Sequence, residues 1–161
     1  MADINYYTYE TPFGNITIMS NGSCITHVKS ESLSSVIKKP AEKSTCKSDK
    51  LTDMAAAQLN EYFTGKRLVF ELALDPQGTK FQKDVWTVLK EIPYGETRSY
   101  KQIAQAIGNP KACRAVGMAN NKNPIWIIIP CHRVIGAGGS LIGYGGGLEM
   151  KERLLKHESN T

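Results

Sequence analysis

The sequence predicts an α+β fold in two parts: a small antiparallel sheet with one helix, then a mostly helical half that holds a helix-turn-helix. Three observations predict it. Apolar and polar residues alternate through the first strands, between turn residues. After Thr79, apolar residues recur at helical spacing behind side-chain caps. Asp75-Pro76-Gln77-Gly78 is turn chemistry between the two patterns, and it sets the expected domains at 1–78 and 79–161. A chain of 161 residues can hold one domain, or two small ones.

In the first half, Ile4 to Tyr9 is rich in Tyr and Thr and reads as a strand. Thr11-Pro12-Phe13-Gly14 is a turn into a second strand, Asn15 to Met19. Cys24 to Val28 reads as a third strand. Lys38 to Lys50, rich in Lys, Ser and Thr, reads as a loop. Leu51 to Thr64 reads as a helix, started near Ser48 or Asp49 and stopped by Gly65. Val69 to Leu74 reads as a further strand.

In the second half, Thr79-Lys80-Phe81-Gln82 matches a capping box. Phe81, Val85, Leu89 and Ile92 follow on one helical face, and Pro93-Tyr94-Gly95 ends that helix. Ser99 to Ile107 reads as a short helix closed by Gly108. Asn109 is a good N-cap with Pro110 at the first helical position, so a helix is expected from Pro110 to about Asn120. Two short helices joined so tightly resemble a helix-turn-helix, whose second helix usually meets DNA. That helix carries Lys111 and Arg114 among small residues, which suit close approach to a partner and packing against protein equally well. Gly136 to Gly147 holds seven of the 14 glycines, and Leu148 to His157 reads as a final amphipathic helix.

Composition narrows the function classes. An apolar share of 41% with 22% charge describes a soluble globular protein. No apolar run approaches membrane-spanning length. Met1 to Glu10 lacks a secretory pattern, so a cytoplasmic location is expected. Cys24, Cys46, Cys113 and Cys131 are scattered, with no disulfide framework, as suits a reducing compartment. The net charge is +5, and it is uneven. Residues 1–78 carry 8 basic against 9 acidic side chains, and residues 79–161 carry 12 against 6. A basic half suggests a polyanionic partner such as nucleic acid.

The densest chemistry is Pro130-Cys131-His132-Arg133-Val134, directly after the apolar run Ile125-Trp126-Ile127-Ile128-Ile129. The thiolate, not the thiol, is the nucleophile, and adjacent basic groups favour it. In an extended strand Cys131 and His132 would point to opposite faces. Contact through a bent backbone or a bound water is therefore expected rather than a direct dyad. A buried histidine needs an acceptor on its second nitrogen. Glu149, Glu152 and Glu158 are the carboxylates after the motif, and one of them on the last helix could reach back. Cys24 and His27 have half-site metal spacing, but no second pair does, so no metal is expected.

These residues carry a family resemblance. The chain resembles the methylated-DNA–protein-cysteine methyltransferases, the O6-alkylguanine-DNA alkyltransferase family. The likeness runs through Phe81-Gln82, Val85-Trp86, Ile92-Pro93-Tyr94-Gly95-Glu96-Thr97, Ser99-Tyr100, Arg114-Ala115-Val116-Gly117, Asn123-Pro124 and Ile129 to Val134. It ends at Gly143-Tyr144, Gly146-Gly147-Leu148, Lys151 and Leu154-Leu155. The first half matches loosely, around Thr11-Pro12-Phe13-Gly14.

The resemblance implies a ribonuclease-H-like N-terminal sheet and a monomer that binds duplex DNA carrying O6-alkylguanine, with O4-alkylthymine a further substrate. The damaged base would be flipped out and its alkyl group moved irreversibly to Cys131, without a cofactor. His132, through a water and Glu152, would draw the proton from Cys131. Arg114 would fill the gap left by the extruded base, and Tyr100 would contact the guanine and a flanking phosphate. Asn123 would brace the segment before the nucleophile, and Val134, Tyr144 and Gly145 would shape the substrate pocket. Trp126 falls where other members carry proline or a small residue, which would narrow that pocket.

Overall fold

The computed structural model describes residues 4–30, 44–139 and 147–160. It divides into two compact units, Met1–Pro76 and Gln77–Thr161.

The first unit is a sheet covered by a helix. Strands β1 (Ile4–Thr11), β2 (Gly14–Ser20) and β3 (Ile25–Ser30) form an antiparallel meander. Gly14, at φ +101°, makes the first turn. A short strand β4 (Ser44–Cys46) adds to the free edge of β1, giving the order β3-β2-β1-β4. It pairs in parallel, so the sheet is mixed rather than purely antiparallel. It also lies inside the stretch expected to be loop. Its polar Ser-Thr-Cys sequence is how short edge strands read, and alternation over three residues gives no signal.

The strand expected over Val69–Leu74 is reduced to one isolated bridge, Ile25 to Leu74. The reason is local. The side-chain amide of Gln58 donates to the Glu71 carbonyl at 3.1 Å and accepts its N–H at 2.9 Å. A side chain thus satisfies the backbone there, in place of a neighbouring strand.

Helix α1 (Lys50–Phe63) packs Ala55, Leu59 and Tyr62 against Ile16, Ile18, Ile25 and Val28, all fully buried. Its N-cap Asp49 closes a capping box with Thr52. At its other end Gly65 N–H bonds Tyr62 O, and Lys66 N–H bonds Glu61 O, which is the Schellman arrangement.

In the second unit, α2 (Lys80–Leu89), α3 (Tyr100–Ala106) and α4 (Cys113–Asn121) pack together. Their shared core is Val85, Trp86, Leu89, Ile103, Ala104, Val116 and Ala119. The Trp86 indole donates to the Ala119 carbonyl at 2.8 Å. Capping boxes start α2 at Thr79 and α3 at Ser99. Helix α4 begins at Cys113, three residues later than the sequence suggests, and its N-cap is Ala112. Asn109 instead completes a Schellman motif with Gly108 at the end of α3, its N–H bonding the Ala104 carbonyl, and a turn closed by Ala112 N–H to the Asn109 carbonyl separates it from α4. A two-residue parallel pair joins β5 (Arg98–Ser99) to β6 (Val134–Ile135). The last helix, α5 (Leu148–Ser159), buries Lys151, Leu154 and Glu158 on one stripe.

Asp49 ties α1 to the sheet. Its carboxylate accepts Thr52 N–H at 2.8 Å, Ser20 Oγ at 2.8 Å and Asn5 Nδ2 at 3.1 Å. Burial alone would push this carboxyl up, but these hydrogen bonds outweigh it and hold it below its ordinary value. Asp49→Ala is expected to lower stability by about 1–2 kcal/mol at neutral pH, measured by urea unfolding. A depressed carboxyl contributes fully above its unfolded value of about 3.9 and loses that contribution as pH falls through the folded value. The difference between the two proteins should therefore shrink in acid.

Candidate active site

The chain reaches Cys131 through two tight reversals. Ile127 has φ +68°, the one positive φ outside glycine among the described residues. Such a backbone is strained for a β-branched side chain. Ile128 N–H bonds back to Trp126 O at 2.8 Å, and Ile129 N–H to Ile125 O at 3.1 Å. Asn123 clamps the mouth of this reversal: its Oδ1 accepts Ile125 N–H at 3.0 Å and its Nδ2 donates to Ile129 O at 2.8 Å. Ile125, Ile127 and Ile129 are buried, so the strain is held by packing as well as by the amide. Pro130, at φ −81° and ψ 66°, then makes an inverse γ-turn that bonds Cys131 N–H to Ile129 O at 2.8 Å.

Cys131, His132 and Arg133 form a single 3-10 turn, all buried. The bent backbone removes the opposite-face problem of an extended pair. His132 Nε2 meets Glu158 Oε2 at 2.6 Å, with both side chains essentially unexposed. Arg133 grips the same carboxylate with two donors, Nε to Oε1 at 2.8 Å and Nη2 to Oε2 at 3.0 Å. Gly95 N–H adds a fourth bond to Oε1 at 3.2 Å. The remaining Arg133 arm donates to Ile92 O at 2.7 Å, and its guanidinium lies 5.6 Å from the Tyr94 ring centre.

The protonation states follow from this packing. Burial alone would push the Glu158 carboxyl up. The hydrogen bonds and charges of His132 and Arg133 outweigh it and hold that group far below the usual carboxylate range. Burial pushes the His132 imidazole below its ordinary value, against the pull of Glu158 and with help from Arg133 and Lys151. His132 is therefore neutral near pH 7, with its proton on Nε2 donating to the ionised Glu158. Nδ1, buried and without a hydrogen-bond partner among the described residues, keeps its lone pair and can accept a proton.

Glu152, the carboxylate expected to orient His132, is exposed, and Glu158 stands in that place. Helical period explains the difference. Lys151, Leu154 and Glu158 share the buried face of α5, and Glu152, one residue on from Lys151, points away. The signal in the sequence was a charged pair flanking Leu154 on that face.

Three further groups stand around the Cys131 turn. Asn120, 1% exposed, donates to the Cys131 carbonyl at 3.2 Å. The Tyr100 hydroxyl is pushed up by burial and by the charge of Cys131. Lys151 donates to the carbonyl of Val134. Spacing alone singled out neither Asn120 nor Lys151.

Known proteins match both units. The description "6-O-methylguanine DNA methyltransferase, ribonuclease-like domain" fits residues 4–76, and "6-O-methylguanine DNA methyltransferase, DNA binding domain" fits residues 80–160. The chain belongs to the 6-O-methylguanine DNA methyltransferase family. A methylated-DNA–protein-cysteine methyltransferase of Methanosarcina barkeri is 52% identical over 156 residues, covering 97% of this chain and 98% of that one. Its counterpart in Mycobacterium tuberculosis is 46% identical over 157 residues, covering 98% and 93%. The crystal structure of Mycobacterium tuberculosis OGT in complex with DNA aligns with a TM-score of 0.88 at 46% identity, covering 97% of this chain and 93% of that chain.

The other residues expected to serve a methyltransferase of this family are placed as follows. Arg114 is exposed on α4, beside exposed Ala115 and Met118, while Val116 and Ala119 face the core. The small residues are thus divided between the exposed side and the core. Gly117 faces the Tyr100 ring, with room for ordinary contact only. Val134 is fully buried directly after the Cys131–Arg133 turn, and Trp126 is 3% exposed. Tyr144 and Gly145 lie outside the described residues.

Glu158→Gln removes the anion from a buried pair and leaves the Arg133 guanidinium uncompensated. A stability loss of about 3–5 kcal/mol at pH 7 is expected by chemical denaturation. Since the Glu158 pKa is depressed on folding, its stabilising contribution is present above about pH 4.3 and lost as pH falls. The acid-limb slope should be shallower in Glu158→Gln than in the parent.

Proposed function

We propose that this protein repairs DNA by taking the alkyl group of O6-alkylguanine onto Cys131, once per molecule. The observation that carries the chemistry is a buried cysteine in one turn with a neutral histidine whose free Nδ1 is backed by a buried, ionised carboxylate. The thiol proton passes to His132 Nδ1, through a water. The thiolate attacks the alkyl carbon, the S–C bond forms, the C–O6 bond breaks, and its electron pair leaves with the guanine. Glu158 steadies the imidazolium formed. A thioether is not hydrolysed under these conditions, so the protein does not turn over.

The O6 substituent lies inside the duplex, so the base must be rotated out to reach Cys131. Arg114, exposed on α4, takes the vacated place in the stack, and Tyr100 contacts the extruded base. The relative from Mycobacterium tuberculosis was crystallised with DNA, and the 12 basic against 6 acidic side chains of residues 79–161 suit the same partner. Among the described residues no helix is long and apolar enough to cross a membrane. The proposed compartment is the cytoplasm, where a free thiolate persists. A non-catalytic damage sensor or a plain helix-turn-helix regulator would leave the Cys131 relay without a use.

Incubation with an O6-methylguanine duplex should add one methyl to Cys131 and none to Cys24, Cys46 or Cys113, read by intact-protein and peptide mass spectrometry. Cys131→Ser should bind the duplex and take up no methyl. Multiple turnovers, or methyl on another cysteine, overturn the assignment.

Arg114→Ala should slow repair in duplex about tenfold or more, since about 1.4 kcal/mol of a flipping cost of a few kcal/mol suffices for that factor. Reaction with free O6-methylguanine should be nearly unchanged. Equal losses on both substrates would remove Arg114 from base extrusion.

A further inference from the structure

Helix α4 leaves one large apolar side chain in water. Met118 is 68% exposed, and it stands one helical turn on from Arg114. A single exposed methionine is ordinary on a protein surface. The surroundings set this one apart. From Thr97 to Leu148 the sequence holds six basic residues and no Asp or Glu. Arg98 pairs with Glu96, and Arg133 is held by Glu158. The other four, Lys101, Lys111, Arg114 and Lys122, are exposed and form no ion pair among the described residues. Lys111 and Lys122 flank α4, and the remaining exposed residues of the helix, Ala115 and Asn121, are short. Met118 is thus a long apolar group in the middle of a cationic face that carries no acid.

We propose that Met118 is the apolar contact of α4 with duplex DNA, seated in a groove on sugar and base edges while the cations around it meet phosphates. The inference rests on the DNA partner and the Arg114 insertion proposed above. Charge selects the occupant. A duplex offers two rows of phosphates with sugar and base edges between them. Phosphate alone would be met best by a further Lys or Arg. An apolar group at the centre of such a face has a use only where the phosphates part, over the groove. Methionine suits that place, being unbranched, flexible and polarisable, and apolar side chains of this kind press against base steps in groove-binding proteins. A rise of about 1.5 Å per residue puts Met118 about 6 Å along α4 from Arg114, so its contact falls within about two base pairs of the extruded nucleotide. Met118 supplies affinity that salt does not screen, because an apolar contact releases no counterion.

The test is the affinity of the full-length Cys131→Ser protein for an O6-methylguanine duplex, read by fluorescence anisotropy at several salt concentrations. Adding Met118→Ala should raise Kd about fivefold to tenfold at every salt concentration, with the slope of log Kd against log salt unchanged. The site is exposed and alanine is the better helix former, so the fold is kept. Met118→Leu should stay near the reference. Lys122→Ala should instead lower the slope by about 0.9. A Met118→Ala line that coincides with the reference, or merges with it as salt rises, overturns the proposal. A second measurement leaves the methionine in place. Saturating duplex should slow oxidation of Met118 by hydrogen peroxide about fivefold or more relative to Met54 on α1, read by peptide mass spectrometry. Undiminished oxidation overturns the proposal. Protection that grows with protein concentration in the absence of DNA seats a second copy on this face and overturns it too. A protein that binds no duplex at any salt concentration fells both this inference and the repair reading. A parent that binds duplex with Met118 covered, yet takes no methyl onto Cys131, removes the repair reading alone.

Discussion

The second unit is organised around one carboxylate. Glu158 accepts buried bonds from His132 and twice from Arg133, and a part-buried one from the Gly95 backbone. Three stretches distant in sequence converge there: the turn after α2, the nucleophile's turn and the end of α5. A buried anion is tolerated only when donors surround it, so the four bonds are a condition for the fold and not an ornament of it. The same bonds choose the tautomer of His132. The packing of this unit and the tautomer of His132 are thus set by one group.

Around that centre the backbone approaches the nucleophile by steps that each leave no freedom. Asn123 closes the reversal over Ile127, the inverse γ-turn at Pro130 redirects the chain, and Asn120 holds the Cys131 carbonyl. Helix α4 supplies Asn120 from its buried side and presents Arg114 on its exposed side. One short helix therefore connects the nucleophile's backbone to the surface that meets solvent. This arrangement suits a site built on rigid elements, where a displacement of about an ångström matters.

Much of this was legible in the sequence because it rests on local rules. The capping box at Thr79, the stops at Gly65 and Gly108 and the alternation in β2 depend on neighbours a few residues apart. The basic half and the Cys-His-Arg segment were readable for the same reason. What escaped reading depends on distant partners. Strand β4 exists because β1 offers an edge, and the Val69–Leu74 stretch fails as a strand because Gln58 occupies its backbone. Asn109 has the chemistry of an N-cap, but it ends the Schellman motif of α3 and a turn to Ala112 separates it from α4. Glu152 and Glu158 are equally plausible by composition, and only the three-dimensional stripe of α5 separates them. Lys151 was visible as a residue of the motif, but its use depends on burial, which no spacing records.

The left-handed backbone at Ile127 has a consequence for the reactivity of the thiol. An isolated peptide of this sequence avoids that conformation, which is held by the buried isoleucines and the Asn123 clamp once the surrounding core exists. Before then Cys131 is one ordinary thiol among four, with no base, no bent backbone and no buried charge beside it. On the proposed chemistry, activation of the sulfur is therefore a property of the finished tertiary structure. On the proposed function, the capacity to take an alkyl group irreversibly onto Cys131 arises only in molecules that have already folded, where His132 and Glu158 stand beside that turn.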